Sequence, residues 1–386
     1  MRMDDWQNGG FGLYLHWPSC QSKCPYCDFN SHVAATIDQS RWKRAYLAEI
    51  DRIAAETPGR VLQSVFFGGG TPSLMDPDLV AAILERIRAS WPQSNDWEVT
   101  LEANPGSVEA GRFLGFSDAG VNRISMGIQA LRDEDLRKLG RLHSVAEARK
   151  AFDVARKTFK RVSFDLIYAR QDQNLASWGV ELQEAVAMAA DHLSLYQLTI
   201  EDGTAFGDRF AKGGLKGLPN EDLSAEMYDL TQDICDAAGL PAYEVSNHAA
   251  PGMESRHNLI YWRGGDYLGI GPGAHGRLTL DGIRWTTEAP RAPGDWLTRV
   301  EAGNRGELPR DVVPGAERAL EYLMMGLRLS EGIDLSRYMT LVGIALSDSK
   351  INSLVDIAMI YRTSNGIAAT AKGRLVLNAV IRELAT

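Results

Sequence analysis

The chain has 386 residues, 45% hydrophobic and 24% charged, an ordinary globular composition that excludes a disordered or low-complexity chain and predicts two domains. With 50 acidic against 41 basic side chains, the net charge of −9 argues against a general nucleic-acid binder or a polybasic membrane-surface protein, while local basic pockets for anionic ligands remain open. No apolar run approaches the roughly 18 residues of a membrane span. The opening MRMDDWQNGG carries acids where a secretory leader has a basic and then an apolar stretch, so a cytoplasmic location is expected.

In chain order, β-rich apolar runs alternate with segments whose apolar residues fall at three- and four-residue steps. Phe11–His16 is the first predicted strand and Ser40–Ala55 the first helix. Ser64–Phe67, the helix Pro77–Ser90, Glu98–Glu102 and Arg123–Gln129 follow, then the helix Val145–Thr158 and the strands Arg161–Tyr168 and His192–Thr199. Strands alternating with helices form parallel βαβ units, and six right-handed units wind into most of a barrel. Polar punctuation follows the strands: Gly68-Gly69-Gly70-Thr71-Pro72, Asn104-Pro105-Gly106 and Glu201-Asp202-Gly203. That end of a parallel barrel is where active sites assemble.

From Tyr243 to Arg277 the chain is rich in glycine and aromatics, which predicts a further strand pair and loops covering the barrel mouth. Pro290–Gly306 reads as a linker. Beyond it Leu320, Leu323, Met324 and Leu327 form an amphipathic stripe, with Met324-Met325 as core filling. Asn365-Gly366 between Ile360–Arg362 and Ile367–Ala369 signals a hairpin, followed by a helix over Lys372–Leu384. The expected fold class is α/β. Residues 1–290 form the partial barrel and 291–386 a small, mostly helical, winged-helix-like domain.

Of four cysteines, Cys20, Cys24 and Cys27 crowd into a C-x3-C-x2-C loop after the first strand, and Cys235 stands alone. A tight cluster points to metal or redox chemistry rather than a disulfide framework. Three thiolates can cap three irons of a [4Fe–4S] cubane, leaving the fourth for an exchangeable ligand. The amino and carboxylate groups of a methionine moiety suit that position, and electron transfer into the adjacent sulfonium would cleave S-adenosylmethionine. Zinc with Cys3His ligation through His16 or His32 is the alternative. Three bare surface thiols would be exposed to oxidation. Glycines 68–70 permit close backbone approach by a ligand or simply a tight turn. Glu102, Gln129 and Asp165 end successive strands, where inward polar groups are costly unless they meet a ligand or each other. Glu102 and Asp165 suit ribose hydroxyls, and Gln129 and Arg141 a methionine carboxylate. Each alone would serve equally as a satisfied buried polar residue.

LHWPSCQSKCPYCDFNS, FFGGGTPSL, LEANPGS, GVNRISMGIQAL and SFDLIYA together resemble the radical S-adenosylmethionine enzymes, in the oxygen-independent coproporphyrinogen III dehydrogenase group. The resemblance implies an incomplete (β/α)6 barrel and a smaller, mostly helical domain. It also implies a [4Fe–4S] cluster on Cys20, Cys24 and Cys27. S-adenosylmethionine would be contacted by Tyr14, Gly69, Gly70, Thr71, Glu102, Gln129, Arg141 and Asp165. Three features resemble the group's heme-chaperone branch more than its dehydrogenases. Phe29 stands where the dehydrogenases carry a fourth cysteine. Only 19 residues precede Cys20, and HNLIYW matches the chaperones' H-N-x-x-Y-W element. One departure is Ala169–Gln173, where the family has a Pro-Gly turn, leaving the shape of the fifth βα loop open.

His257 of HNLIYW is the candidate axial ligand for heme, with His275 and His248 as rivals. Tyr261 and Trp262 offer flat apolar area, and Arg256 and Arg263 offer partners for propionates. The implied function is a heme chaperone that hands heme to an acceptor protein, with homodimerisation or release open to gating by the cluster and S-adenosylmethionine. The alternative is oxidative decarboxylation of coproporphyrinogen III by a 5′-deoxyadenosyl radical. A DNA-binding role for the winged-helix-like part is disfavoured by the acidic charge.

Overall fold

A computed structural model describes residues 4–34, 36–107, 110–303 and 305–385. All six expected strands are present: β1 Phe11–Trp17, β2 Leu62–Gly69, β3 Gln93–Ala103, β4 Arg123–Gln129, β5 Arg161–Tyr168 and β6 His192–Gln197. They are followed by β7 Asn247–Ala249, β8 Asp266–Ile270, β9 His275–Leu280, β10 Ile283–Glu288 and β11 Asp311–Val312. One open 11-stranded sheet contains them in the order β11-β10-β9-β8-β1-β2-β3-β4-β5-β6-β7. From β8 to β6 every neighbouring pair is parallel, and the strands outside that block are antiparallel. The partial barrel therefore gains a parallel strand, β8, from the aromatic-rich stretch.

Alternation along the strands sets the two faces. Leu13, Leu15, Val65, Phe67, Val99, Leu101, Ile124, Met126, Val162 and Phe164 are buried with the apolar sides of the helices Gln39–Glu56, Pro77–Ser90 and Val145–Thr158. The opposite face carries Tyr14, Ser64, Thr100, Glu102, Arg123, Ser125, Ser163 and Asp165, so the barrel interior is polar. Local signals start the helices where expected. Asp38 caps the first, Pro77 occupies the first turn of the second, and Ser144 with Glu147 forms a capping box. In the fifth βα loop, Ala169 and Asp172 adopt left-handed backbone (φ 55° and 61°), and Arg170, 3% exposed, ties the loop to Asp135 and Glu181.

Three expectations need correction. The aromatic-rich stretch does supply a strand pair, β8 with β9, but HNLIYW is a helix, Arg256–Trp262, capped by Ser255. Pro290–Gly306 is not a linker: Pro293–Glu301 is helical, with Pro293 in its first turn and Trp296, Leu297 and Val300 buried. Trp296 stacks on Trp42 (centroids 5.7 Å apart, 15° between planes) and packs against Tyr46 at 5.3 Å, joining the main core. A proline that starts a helix looks like a linker proline when read without its partners.

The C-terminal helices Gly315–Gly326, Leu335–Val342, Asp348–Asp356, Ala371–Leu375 and Leu377–Ala385 surround a three-stranded antiparallel sheet of 333–334, 366–369 and 360–362. The hairpin forms as expected. In the amphipathic stripe only Leu323 and Leu327 are buried; Met324 is 41% exposed and is not core filling. Asp5 binds Arg337 at 2.8 Å and Arg318 at 2.9 Å, and Glu321 binds Arg277 at 2.7 Å, tying this unit to the barrel. No helix among the described residues is long and apolar enough to cross a membrane. Truncating the fully buried Trp296 should show whether its helix is core: Trp296→Ala is expected to cost about 3–5 kcal/mol in denaturant unfolding, whereas a linker tryptophan would cost almost nothing.

Candidate functional site

The cysteine loop leaves β1 through Pro18 and is closed at its base by a two-residue parallel ladder, Ser19 against His32 and Cys20 against Val33. Within it the Cys27 N–H donates to the Cys24 carbonyl at 3.1 Å. All three thiols are free. Burial pushes the Cys20 and Cys27 thiols up, and the charges of the neighbouring thiols add to the rise. Two side chains face the sulfurs from elsewhere: Thr71 Oγ1 lies 3.4 Å from Cys20 Sγ, and Arg141 Nη1 3.4 Å from Cys24 Sγ. Arg141 is held by a 2.8 Å bond from Nη2 to the Gly127 carbonyl, and its buried Nε has no partner among the described residues.

The glycine run is explained by contact with this loop. A Cβ on Gly69 (φ 109°) would stand 2.7 Å from the His16 ring, and one on Gly70 2.7 Å from the Ser19 carbonyl. Without side chains, the Gly70 N–H reaches the Trp17 carbonyl at 2.6 Å and the Thr71 N–H reaches that of Ser19 at 2.9 Å. The end of β2 thus lies flush against the entrance of the cysteine loop.

Tyr14, Glu102 and Asp165 project from β1, β3 and β5 at the same end. Burial, and then the adjacent Asp165 carboxylate, raises Glu102 to about 8. Burial raises Asp165 to about 6 against opposing contributions from Ser194, Arg123 and Ser125. Gln129 takes left-handed backbone (φ 74°) after a register break with β5, which turns the end of β4 inward. A cavity of about 530 Å³ opens here, lined by Tyr14, Gly69 and Glu102 on one side and by Tyr261, Tyr267 and His275 on another. Lys23, Phe29, Asn30 and Arg291 complete much of its wall. Thr71 and Arg141 belong to the thiols instead, while Gln129 and Asp165 stand at neighbouring strand ends outside that lining.

Asn30 had no distinct signal in the sequence, and His16 had one only as the alternative fourth ligand of a zinc site. The His16 Nε2–H donates to the Asn30 carbonyl at 2.9 Å, leaving Nδ1 to accept from the Tyr14 hydroxyl at 3.0 Å. Both ring nitrogens are used, so His16 offers no lone pair for a Cys3His zinc site. The Asn30 amide donates to the carbonyls of Pro272 (3.0 Å) and Arg291 (2.9 Å), pinning the cysteine loop to the turn before β9 and to the segment after β10.

His257 lies deeper than a surface ligand would. It is 2% exposed, with Nδ1 bonded to Ser64 Oγ at 2.7 Å and Nε2 to the Tyr261 hydroxyl at 2.6 Å. Its ring stacks on Phe66 at 4.9 Å, and burial lowers its pKa to about 3, so it is neutral. Tyr261 reaches the cavity; His257 does not line it. Arg256 and Arg263 are engaged by Asp96 and Glu331. His248 is buried in β7 beside β6, while His275 is exposed at the start of β9.

The radical SAM superfamily matches residues 14–179, and the HemN C-terminal domain matches residues 313–376. The chain is 38% identical to the heme chaperone HemW of Escherichia coli over 376 residues, which are 96% of each chain. It is 37% identical over 383 residues to the Bos taurus protein "Radical S-adenosyl methionine domain-containing protein 1, mitochondrial", covering 96% of this chain and 86% of that one. Among solved structures, the coproporphyrinogen III oxidase HemN of Escherichia coli has a TM-score of 0.81 at 20% identity, over 99% of this chain and 92% of that one, a likeness of fold. A cysteine loop at the mouth of a partial barrel, the C-terminal domain and identity along nearly the whole length agree: the chain belongs to the radical SAM superfamily and, within it, to the family of the heme chaperone HemW.

Proposed function

We propose that this protein is a heme chaperone that binds heme and passes it to an acceptor protein, with a [4Fe–4S] cluster on Cys20, Cys24 and Cys27 and an exchangeable S-adenosylmethionine. The observation that carries the proposal is the 38% identity to HemW over 96% of both chains. The site supports it. Three free thiols, a guanidinium with one unpartnered nitrogen and a side-chain-free cradle at Gly69 and Gly70 suit the cluster and the nucleotide. A cytoplasmic location belongs to the proposal, since those thiols need a reducing compartment. So does homodimerisation or release gated by cluster and nucleotide.

The protein's own groups have separable tasks. Thr71 and Arg141 offset negative charge on the Cys20 and Cys24 sulfurs. Tyr14 is fixed by His16. Glu102 and Asp165 accept the ribose hydroxyls, with Gln129 and Arg141 at the methionine end. His257 belongs to the heme side through its bond to Tyr261. When bound, the cluster supplies one-electron chemistry at the sulfonium. Phe29, in place of a further cysteine, sets the chain apart from the dehydrogenase alternative.

Anaerobically reconstituted protein given heme should bind it and transfer it to a heme-free hemoprotein used as acceptor. Given reductant, S-adenosylmethionine and coproporphyrinogen III, it should form no protoporphyrinogen; substantial turnover would replace the proposal with the dehydrogenase. Cys24→Ala should lose the broad iron–sulfur absorbance near 400 nm while the fold survives by circular dichroism.

The raised Glu102 predicts a pH dependence. Above about 4.5 an unfolded chain releases a proton that the folded chain keeps to about 8, so Glu102 subtracts stability from the ligand-free fold as pH rises through that window. Glu102→Gln should therefore stabilise the apo-protein by on the order of 2–4 kcal/mol at pH 8 and hardly at all at pH 4. Ribose hydroxyls favour the ionised carboxylate, so nucleotide binding near pH 7 should release protons in calorimetry across buffers of different ionisation enthalpy. Glu102→Gln should abolish that release; unaltered release would remove Glu102 from the nucleotide site.

A further inference from the structure

Resting on the heme-chaperone proposal, we infer that the axial ligand to heme iron is His275 at the cavity mouth, with Arg291 and Lys23 receiving the propionates, and that His257 is a positioning residue acting through Tyr261. A ligating imidazole needs one nitrogen free and a path for a flat macrocycle of porphyrin size. His257 has neither: both nitrogens are bonded, at 2.7 and 2.6 Å, and its ring is packed on Phe66. His275 has both. Its side chain is 53% exposed, it lines the 530 Å³ cavity, and its Nε2 stands 3.9 Å from Glu288 Oε1. At 3.9 Å that carboxylate is beyond hydrogen-bond reach, so it occupies neither ring nitrogen and leaves the imidazole open to a metal.

The walls near His275 fit a porphyrin better than a nucleotide alone. Tyr261 and Tyr267 meet edge to face at 4.2 Å, and Phe29 leaves 57% of its surface exposed on the cysteine loop. Solvent-facing aromatic area of this kind is covered when a flat apolar ligand lies on it. The cations divide similarly. Arg256 and Arg263, beside HNLIYW, are taken by Asp96 and Glu331. Lys23 and Arg291 are exposed, line the cavity and have no ion pair among the described residues. Through Asn30, the backbone of Arg291 and the turn before His275 are bonded to the cysteine loop, so heme held here would rest against the loop that carries the thiols.

The test uses full-length, cluster-reconstituted protein titrated anaerobically with ferric heme and followed by Soret absorbance and EPR. His275→Ala and His275→Gln should each lose the imidazole-ligated signature and bind heme at least tenfold more weakly, and added imidazole should restore the signature to His275→Ala. His257→Ala should bind more weakly yet keep that signature. Arg291→Ala should weaken heme several-fold but leave heme dimethyl ester unaffected. Wild-type spectra and affinity in both His275 variants, or loss of the signature in His257→Ala alone, would overturn the assignment while leaving a heme-binding protein. Failure of the unsubstituted protein to bind heme would instead defeat the chaperone proposal on which it rests.

Discussion

Two backbone hydrogen bonds, from Gly70 to Trp17 and from Thr71 to Ser19, hold the end of the second strand against the entrance of the cysteine loop. They form only because residues 69 and 70 have no Cβ, which would otherwise fall 2.7 Å from His16 and from the Ser19 carbonyl. The placement of the thiols follows from this contact. It brings the Thr71 hydroxyl to Cys20 and sets the height of the loop above the strand ends. Any larger residue would push the loop away from the barrel and separate three sulfurs from the carboxylates below.

Beneath the site the barrel is filled with polar side chains, and these form a connected hydrogen-bonded network in which the Arg161 Nε stays without a hydrogen-bond partner among the described residues. Arg123, 3% exposed, donates to Ser163 at 2.9 Å and Thr100 at 3.4 Å and stands 4.0 Å from Glu98. Ser163 donates to Ser125 at 3.2 Å, and Ser125 to Asp165 at 3.4 Å. Glu98 in turn accepts from Arg161 and from the backbone of His257. A buried guanidinium is tolerable only with this many partners. Among the described residues Glu102 has no cation bonded to it, which is why burial and Asp165 raise its pKa so far. The floor is neutralised, while the strand ends above it keep unspent hydrogen-bonding capacity for a ligand.

The HNLIYW helix works on two levels. His257 is a buried strut between Ser64 and Tyr261, whereas Tyr261 is wall. One substitution in this element therefore acts on the core and on the cavity at once, and a loss of heme binding after changing His257 does not by itself identify an iron ligand. Spectroscopy of the bound heme separates the two effects.

The six barrel strands, the helices Gln39–Glu56, Pro77–Ser90 and Val145–Thr158 and the cysteine loop were all legible in the sequence, because each depends on local features: β-rich apolar runs, apolar residues at three- and four-residue steps, and a C-x3-C-x2-C spacing. So was the recurrence of Glu102, Gln129 and Asp165 at successive strand ends. Other features were set only by contacts between residues far apart in the chain. Trp296 turned a proline-marked linker into core by stacking on Trp42, some 250 residues away. Asn30 became the tie between the cysteine loop and β9, and Ser64 together with Tyr261 consumed both nitrogens of His257. Periodicity and spacing report which face a residue occupies and what chemistry it can do. Whether its hydrogen-bonding atoms are already satisfied depends on partners that only the folded chain brings within reach.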